Sequence, residues 1–280
     1  MKAAIGKPLV SGVRRECGGG WLANLNVDRS DPFFYDHPLD HVPGILLVCG
    51  LLDLVGHASG SPGPRLRLSL GFPAFCEHDD PVELVATPSS EAVRGRWEVS
   101  AVQRGRSVCE GWIGHLGRPE PAGVPGAESE NAPIRAELVH RVNPDNIAIG
   151  TIEERDGNRS VPVLPPKRGH FLERCDNGTH SAEKLIEAAR QATTMIPIEF
   201  GGHPADSKFL WLSVAADLPH GVPSRVPTAL RFGHDHGRGS RYRFLFELVT
   251  GDAVLGRLVS ECAVMTAGTY AALRPKGAGA

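Results

Sequence analysis

Apolar and polar residues alternate with a period of two along several segments of the first half of the chain. This alternation is typical of strands with one buried face and predicts a strand over 21–27. Residues 43–58 are instead apolar on nearly every face, so they predict a buried helix, which Pro43 and Gly44 open. The helix would cover an antiparallel sheet whose strands also alternate at period two: 65–72, 81–88, 94–102 and 107–116.

The second half repeats this order of elements. The segments 136–141 and 146–154 correspond in position to the early strand of the first half, and a further segment, 160–166, follows them before the helix. Pro197 is expected to end or kink a helix over 180–200. That helix is predicted from residues at helical spacing: Leu185, Ile186, Ala189 and Thr193. Four strands follow, the last two joined by a turn at 250–252: 209–218, 226–232, 240–249 and 253–265.

The middle of the chain has a different composition from either half. Residues 119–133 are rich in Pro, Gly, Ala and acidic residues and show no apolar periodicity. They predict a linker between two halves, 1–118 and 134–280. Because both halves show a strand, a long loop, one helix and a run of strands, we interpret them as an internal duplication of low sequence identity. One helix on a long antiparallel sheet, present twice, predicts an α+β fold.

Composition narrows the class of protein without identifying it. The 280 residues are 41% hydrophobic and 22% charged, as in globular proteins, and a formal net charge of −2 gives no electrostatic reason to expect nucleic acid. No apolar run is long enough to span a membrane, and residues 1–20 lack the features of a secretory signal, so we expect a cytoplasmic protein without membrane contact. The six cysteines include no CxxC pair, so we expect reduced thiols, with no metal site and no cofactor.

Residues 31–48, DPFFYDHPLDHVPGILLV, form a long and specific string. The string resembles the second repeat of the AfsA family (A-factor biosynthesis, γ-butyrolactone synthases) and is distantly similar to the His-containing loop of β-hydroxyacyl-ACP dehydratases. Residues 138–141, 180–192 and 209–214 resemble the first AfsA repeat, so the two repeats stand in swapped order. The resemblance implies a double hotdog, in which two long antiparallel sheets each wrap a central helix. This pseudo-dimer is expected to act as a monomer or as a homodimer.

The resemblance also implies an active site at the junction of the halves, where a loop histidine faces a helix carboxylate across an acyl tunnel. In this chain it pairs His37 with Glu187, and His41 is the alternative histidine. A histidine near its ordinary pKa can remove a proton from a carbon or a hydroxyl, and a partly buried Glu can return one. Asp36 and Asp40 are expected either to orient the imidazoles or to cap the following turn.

Other groups are expected to contact the substrate. Backbone N–H groups at the helix start around Gly44 could polarise the thioester carbonyl, as an oxyanion hole does. Arg190 and Gln191 follow Glu187 by about one helical turn. They are expected to hold its carboxylate or the substrate, or else to form a polar helix face.

The second, reciprocal site differs from the family pattern. The family has Glu five residues after the glycine of its Pro-Gly pair, where this chain has Cys49. Together with Cys175 and His180, Cys49 would form a site that we expect to be altered or inactive, with Cys49 as packing rather than as a nucleophile.

The loop 231–243 is interpreted as an exposed turn rather than a metal or phosphate site, although it contains His234, Asp235 and His236.

Three hypotheses about function follow. The first, implied by the family, is the transfer of a β-ketoacyl group from an ACP or CoA thioester to a small phosphorylated acceptor such as dihydroxyacetone phosphate. The second is dehydration, isomerisation or cyclisation of a carrier-bound polyketide intermediate. The third is a protein without catalytic activity that binds an acyl ligand or a partner protein. The loss of an acid at Cys49 would permit this last role.

Overall fold

A single antiparallel sheet of twelve strands runs through the part of the chain that the computed structural model describes. That part comprises residues 8–60, 63–90, 95–115, 132–155, 157–173, 178–233 and 239–274. The first half supplies β1 (Val10–Arg15), β2 (Trp21–Leu25), α1 (Gly44–Ser59), β3 (Arg65–Gly71), β4 (Glu83–Pro88), β5 (Arg96–Gln103) and β6 (Arg106–His115).

The second half supplies the other six strands and two helices. Its elements are β7 (Glu153–Arg155), β8 (Asn158–Pro162), α2 (Ala182–Glu199), β9 (Lys208–Pro219), β10 (Ala229–Phe232), β11 (Arg241–Thr250), β12 (Ala253–Met265) and α3 (Ala267–Leu273). The strands lie in the order β1-β2-β4-β5-β6-β3-β9-β12-β11-β10-β8-β7. No helix in the described part of the chain is long and apolar enough to span a membrane.

The two halves meet where β3 pairs with β9. The pairing is antiparallel, with Leu68 opposite Ala216 and Gly71 opposite Ser213. On each side of this seam, one helix packs against the strands of its own half, and α1 also contacts α2. Two helices, each covered by its own part of one continuous antiparallel sheet, form a double hotdog. The predicted α+β fold class is therefore confirmed.

Helix α1 forms from the run that the hydrophobic pattern marks as buried. Residues from Ile45 to Leu51 are buried, and the helix ends at Gly60, which adopts a left-handed conformation with a φ of 71°. The N–H of Gly60 donates to the carbonyl of Gly56, so this residue closes the last turn. At its other end the helix has Pro43 as N-cap, without a side-chain cap.

Helix α2 is more polar than α1 and begins with a cap. Ser181 is its N-cap and accepts a hydrogen bond from the N–H of Lys184. Pro197 lies inside the helix, two residues before its end at Glu199, so it stands close to the end that the sequence predicts. Almost every residue between these points is buried, including Lys184 and Glu187, because the helix packs between the sheet and the first half of the chain.

The structure corrects the first segment of the second half. Residues 136–141, expected as an early strand, contain a short 3₁₀ helix over Ala136–Val139. Leu138 and Val139 are neighbours in the sequence and both are buried. In a strand with one covered face, neighbouring side chains point to opposite faces, so only one of them would be buried, whereas a helical turn can bury both. The structure also contains β1 and α3, which the hydrophobic pattern does not predict.

Several predictions concern residues outside the described part of the chain. They are the linker 119–133, apart from its last two residues, the cysteine Cys175, and the group His234, Asp235 and His236.

Candidate active site

A cavity of about 730 Å³ lies at the junction of the two halves. The loop 37–43 and the first turn of α1 line it from the first half. Residues 208–212 of β9 and the side chains of Arg190 and Thr194 on α2 line it from the second half. Of the site residues expected from the sequence, those that line this cavity are His37, His41, Gly44 and Arg190.

His37 is paired with the residue that precedes it. Its Nδ1 lies 2.7 Å from Oδ1 of Asp36, whose side chain is 1% exposed. Because a carboxylate only accepts hydrogen bonds, this contact places the proton on Nδ1 and leaves Nε2 able to accept one. Burial by itself would raise the pKa of Asp36, but the hydrogen bond from His37 and the charge of Arg141 hold it at about 2. Asp36 therefore orients the imidazole, one of the two roles expected from the sequence.

Residues of the second half hold Asp36 in place. Nη1 of Arg141 donates to its Oδ1 at 3.2 Å, and Nδ2 of Asn146 donates to its Oδ2 at 3.0 Å. The backbone N–H of Val142 also donates to Oδ2, at 3.3 Å. The orientation of His37 thus depends on three donors from the other half of the chain.

His41 forms a second pair of the same kind. Its Nδ1 lies 2.8 Å from Oδ1 of Asp40, and the hydroxyl of Tyr270 donates to the same oxygen at 2.7 Å. The hydrogen bond from His41 holds the pKa of Asp40 below its usual range, and although burial acts in the opposite direction, the hydrogen bond from Tyr270 lowers it further. The cavity therefore has two imidazoles, each with its Nδ1 bound to the preceding aspartate.

Glu187 does not line the cavity, and its carboxylate is saturated by protein donors. Arg190 donates to it through Nε at 2.7 Å and through Nη2 at 2.8 Å, and Nη2 of Arg141 donates at 2.6 Å. Nε2 of Gln191 adds a further hydrogen bond at 2.8 Å. Burial alone would raise the pKa of Glu187, but the charges of Arg190 and Arg141 hold it below its usual range.

The expected pairing of His37 with Glu187 is not a direct contact in the structure. The two side chains are linked only indirectly, because Arg141 donates to Glu187 with one nitrogen and to Asp36, the partner of His37, with another. A carboxylate with a lowered pKa is charged at neutral pH and has no proton to return to a substrate. The geometry therefore favours an anchoring role for Glu187 over the proton-donating role expected from the sequence.

The start of α1 presents free backbone donors to the cavity. The N–H groups of Leu46 and Leu47 both donate to the carbonyl of Pro43, whereas those of Gly44 and Ile45 have no acceptor within the described ranges. A Cβ added at Gly44 would lie 3.1 Å from Cε3 of Trp211. Glycine therefore fits at this position, where a larger residue would press on the rings of Trp211 and Phe72. N–H groups without an acceptor at a helix start can polarise a carbonyl, the role expected for them from the sequence.

Cationic side chains gather in the part of the cavity lined by the second half. Arg190 and Lys208 line it, and Lys208 makes no ion pair within the described residues. His140 lines it too and donates from Nε2 to the carbonyl of Ala205 at 3.0 Å. Burial lowers the pKa of His140 to about 4, and the positive charges of Arg190 and Lys208 act in the same direction. This part of the cavity is suited to an anionic group.

The remaining predicted residues lie away from the cavity. Cys49 is fully buried in α1, at the packing position expected for it. Gln191 accepts a hydrogen bond from the N–H of Ala148 and donates to the carbonyl of Asn146, so it serves the core rather than the substrate. His180 is buried, and burial lowers its pKa to about 4.

Sequence reasoning missed several functional candidates. Arg141 belongs to the quoted string 138–141, but nothing in that string shows that its partners are Asp36 and Glu187. Lys208 is the first residue of a strand, and Tyr270 lies in a helix that the apolar pattern does not predict. Their roles depend on contacts between residues far apart in the sequence, for which the hydrophobic pattern contains no signal.

Comparison with known proteins gives a family for most of the second half. A model described as A-factor biosynthesis hotdog domain (AfsA) matches residues 125–266. A search of the curated proteins found no match.

The structure is similar to several solved domains of low sequence identity. The dehydratase domain from the CurJ module of curacin polyketide synthase is 14% identical, with a TM-score of 0.63 over 95% of this chain and 98% of that domain. The dehydratase domain of the polyketide PpsC from Mycobacterium tuberculosis is 12% identical, with a TM-score of 0.64 over 94% of this chain and 100% of that domain. The bifunctional dehydratase-cyclase domain of ambruticin biosynthesis is 18% identical, with a TM-score of 0.55 and coverage of 93% and 95%. These similarities establish the fold.

Proposed function

The chain belongs to the family of A-factor biosynthesis hotdog domains (AfsA), and on this premise we propose that it transfers an acyl group from a thioester to a small anionic acceptor. The donor would be an acyl-ACP or acyl-CoA, and the acceptor would react through a hydroxyl. The observation that carries this proposal is the cavity between the halves, where two oriented histidines, a free helix N-terminus and cationic side chains line one space.

His37 is assigned the role of general base. With the proton on its Nδ1 held by Asp36, Nε2 is the atom that can take the proton of the acceptor hydroxyl. The hydroxyl oxygen then attacks the thioester carbon, and the N–H groups of Gly44 and Ile45 stabilise the oxyanion that forms. When the carbon–sulfur bond breaks, the protonated His37 gives its proton to the leaving thiolate. Every proton is thus accounted for without a carboxylic acid.

The state of the carboxylates favours this reaction over loss of water. Elimination of a hydroxyl group needs an acid to protonate the oxygen that leaves. Asp36, Asp40 and Glu187 all have pKa values below their usual range, because each accepts hydrogen bonds from cationic or neutral donors. Acyl transfer is compatible with carboxylates that stay charged.

The cationic part of the cavity supports an anionic acceptor. Lys208 has no ion pair within the described residues and can bind an anionic group of a ligand. Arg190 uses Nε and Nη2 on Glu187, so Nη1 is the nitrogen that it can offer to a ligand in the cavity. The family resemblance implies a phosphorylated acceptor such as dihydroxyacetone phosphate, and a phosphate group would suit these side chains.

A second candidate is dehydration or cyclisation of a carrier-bound polyketide intermediate. It is favoured by the fold, since the similar solved domains are described as dehydratase and dehydratase-cyclase domains. In that reaction one imidazole would act as base and the other, in its protonated form, as acid. The structure provides both histidines in one cavity.

The two reactions are separated by incubating the protein with a β-ketoacyl thioester and dihydroxyacetone phosphate, and separately with a β-hydroxyacyl thioester, followed by mass spectrometry. We expect an ester product in the first mixture and no loss of water in the second. Loss of water without ester formation would favour the second candidate. Binding of either thioester without any product would contradict both reactions and leave the acyl-binding role.

Variants of the first histidine pair test the mechanism. His37→Ala should lower kcat by about 10²- to 10⁴-fold, the usual contribution of a general base. Asp36→Asn should lower kcat by about 10²-fold or more, because an amide can donate to Nδ1 and reverse the tautomer. Asp252→Asn, at an exposed turn, is the matched control and should retain full activity. Equal rates for His37→Ala and the unaltered protein would remove His37 from the mechanism.

A further inference from the structure

Helix α3 follows the last strand of the second half and reaches the cavity. It begins directly after β12, with Thr266 as its N-cap, and none of its seven residues is buried. Two of them, Tyr270 and Leu273, nevertheless line the cavity together with the loop that holds His41. A short surface helix at this position forms part of the wall of the site.

Arg274, at the C-cap of α3, fastens the helix to the first half. Its Nη2 donates to the carbonyl of Asp40 at 2.8 Å and to Oε2 of Glu77 at 2.7 Å, and its Nη1 lies 3.1 Å from Oε1 of Glu77. The guanidinium carbon lies 4.6 Å from the centre of the Phe75 ring. The side chain is 9% exposed, so this attachment is largely shielded from water.

Tyr270 closes the hydrogen-bonded group around His41. Its hydroxyl lies 2.7 Å from Oδ1 of Asp40 and 3.2 Å from Nδ1 of His41. Burial and the neighbouring carboxylate of Asp40 raise the pKa of Tyr270, so the hydroxyl stays protonated and donates. The ring also stands edge-on to Phe75, with centroids 5.8 Å apart.

The two histidine pairs are therefore held in different ways. Asp36, beside His37, is buried and takes donors from Arg141 and Asn146. The side chain of Asp40, beside His41, is 50% exposed and receives donors from the C-terminal segment instead. Without those donors, water would compete for an exposed carboxylate, and the tautomer of His41 would no longer be fixed.

From this contrast we infer that Tyr270 is a positioning residue for His41, acting through Asp40, and that α3, which follows the last strand of the sheet, completes the active site. The inference rests on the proposed function only in taking His41 as an imidazole that meets the substrate. The hydroxyl of Tyr270 keeps Asp40 aimed at Nδ1, so that Nε2 of His41 is the atom left to face the ligand.

The test uses Tyr270→Phe in the full chain, which removes the hydroxyl and keeps the ring against Phe75. Long-range proton–nitrogen spectra report the tautomer of His41, whose signals are identified by their loss in His41→Gln. We expect a single form protonated at Nδ1 in the unaltered protein and a mixture of tautomers in Tyr270→Phe. Tyr242→Phe is the control, because its hydroxyl binds His203 at 2.8 Å, away from the cavity, and should leave His41 unchanged.

Kinetics supply a second readout. His41 transfers no proton in the proposed acyl transfer and acts only by contact with the substrate, so Tyr270→Phe should lower kcat by at most about tenfold, the effect of one lost hydrogen bond to a charged group. Arg274→Gln keeps the hydroxyl of Tyr270 but loosens α3 and removes the ion pair between Nε of Arg274 and Oδ2 of Asp40 at 3.3 Å, so it should produce the same two changes. An unchanged tautomer of His41 in Tyr270→Phe and Arg274→Gln would overturn the inference. The spectra report the tautomer of His41 whichever reaction the protein catalyses. A missing ester product would therefore overturn the proposed function but not the inference about Tyr270.

Discussion

Glu187 shows how a residue type can suggest one role and its neighbours impose another. A glutamate on a helix beside an acyl site is a natural candidate for a proton donor. Here two arginines and a glutamine occupy its oxygens, and the side chain has no exposed surface. Arg141 also donates to Asp36, but Arg190 makes no other ion pair within the described residues, so loss of the Glu187 carboxylate would leave excess positive charge in a largely buried place.

We therefore predict that Glu187→Gln mainly affects stability. Removing one partner of a buried ion pair typically costs about 3–5 kcal/mol, and we expect a loss of about 3 kcal/mol in the free energy of unfolding, measured with urea. The dependence of the rate on pH should keep its shape, since no titrating group of the reaction is lost. A missing limb in that profile, with stability unchanged, would show that Glu187 is the proton donor after all.

Glu247 provides a matched control for this variant. It also pairs with two arginines, Arg231 at 2.7 Å and Arg257 at 3.3 Å, but on the surface of the sheet. Because water can replace these partners, Glu247→Gln should cost less than about 1 kcal/mol. The difference between the two variants measures the effect of burial.

At the scale of the elements, the two central helices begin in different ways. The first N–H groups of α2 are capped by Ser181, whose hydroxyl also donates to the carbonyl of Leu172. Helix α1 has Pro43 instead, with no side-chain cap, and its first turn lines the cavity. Free donors at a helix start suit a developing negative charge, and the absence of a cap at α1 keeps them available.

Variants of two glycines in α1 distinguish a catalytic role of the N–H groups at the helix start from an effect on helix stability. Gly44→Ala should lower kcat/KM by about 10- to 100-fold in the acyl transfer assay, because the added methyl group meets Trp211 and Phe72 and blocks the approach to the N–H groups. Gly56→Ala, where a Cβ meets nothing within 4 Å, should keep full activity and raise stability by up to about 1 kcal/mol. Equal activity of both variants would contradict a role for the helix start.

At the scale of the whole molecule, burial of histidines links stability to pH. Burial lowers the pKa of His115, His140, His170 and His180 to about 4, below the ordinary value of about 6.5. Between these two values the unfolded chain binds protons that the folded chain does not. The stability these groups contribute is therefore present above pH 6.5 and is lost as the pH falls toward 4.

His180→Phe should reduce this pH dependence. Both ring nitrogens of His180 are buried and have no hydrogen-bond partner among the residues that the structure describes, so the variant removes a polar group without breaking a described hydrogen bond. Between pH 7 and pH 5, the variant should lose about 2 kcal/mol less of its free energy of unfolding than the unaltered protein. Urea unfolding at both pH values measures the difference. Ion-paired carboxylates contribute little to the change in stability between pH 7 and pH 5, because they stay charged in this range.

The exposed His57 serves as the control, and His57→Gln should show the pH dependence of the unaltered protein. The same pH dependence in His180→Phe and in the unaltered protein would mean that His180 titrates alike in the folded and unfolded chain.

Local patterns in the sequence are enough to predict most of the helices and strands. Period-two alternation is a property of neighbouring residues, so it predicted most strands of the sheet, and the apolar run predicted α1. The string at 31–48 added the hotdog family and brought His37, His41 and Gly44 to attention. The division of the chain at 119–133 and its oligomeric state stay predictions.

The charged groups that meet in the candidate site come from distant parts of the chain, and the fold brings them together. Arg141 lies 105 residues from Asp36 and 46 from Glu187, and Tyr270 lies 230 residues from Asp40. Whether a carboxylate holds a proton depends on its burial and on the charges beside it, and neither follows from periodicity. The sequence could therefore provide the histidines of the candidate site, while the contacts of Glu187 with two arginines, and of Asp36 and Asp40 with the imidazoles, depend on the fold.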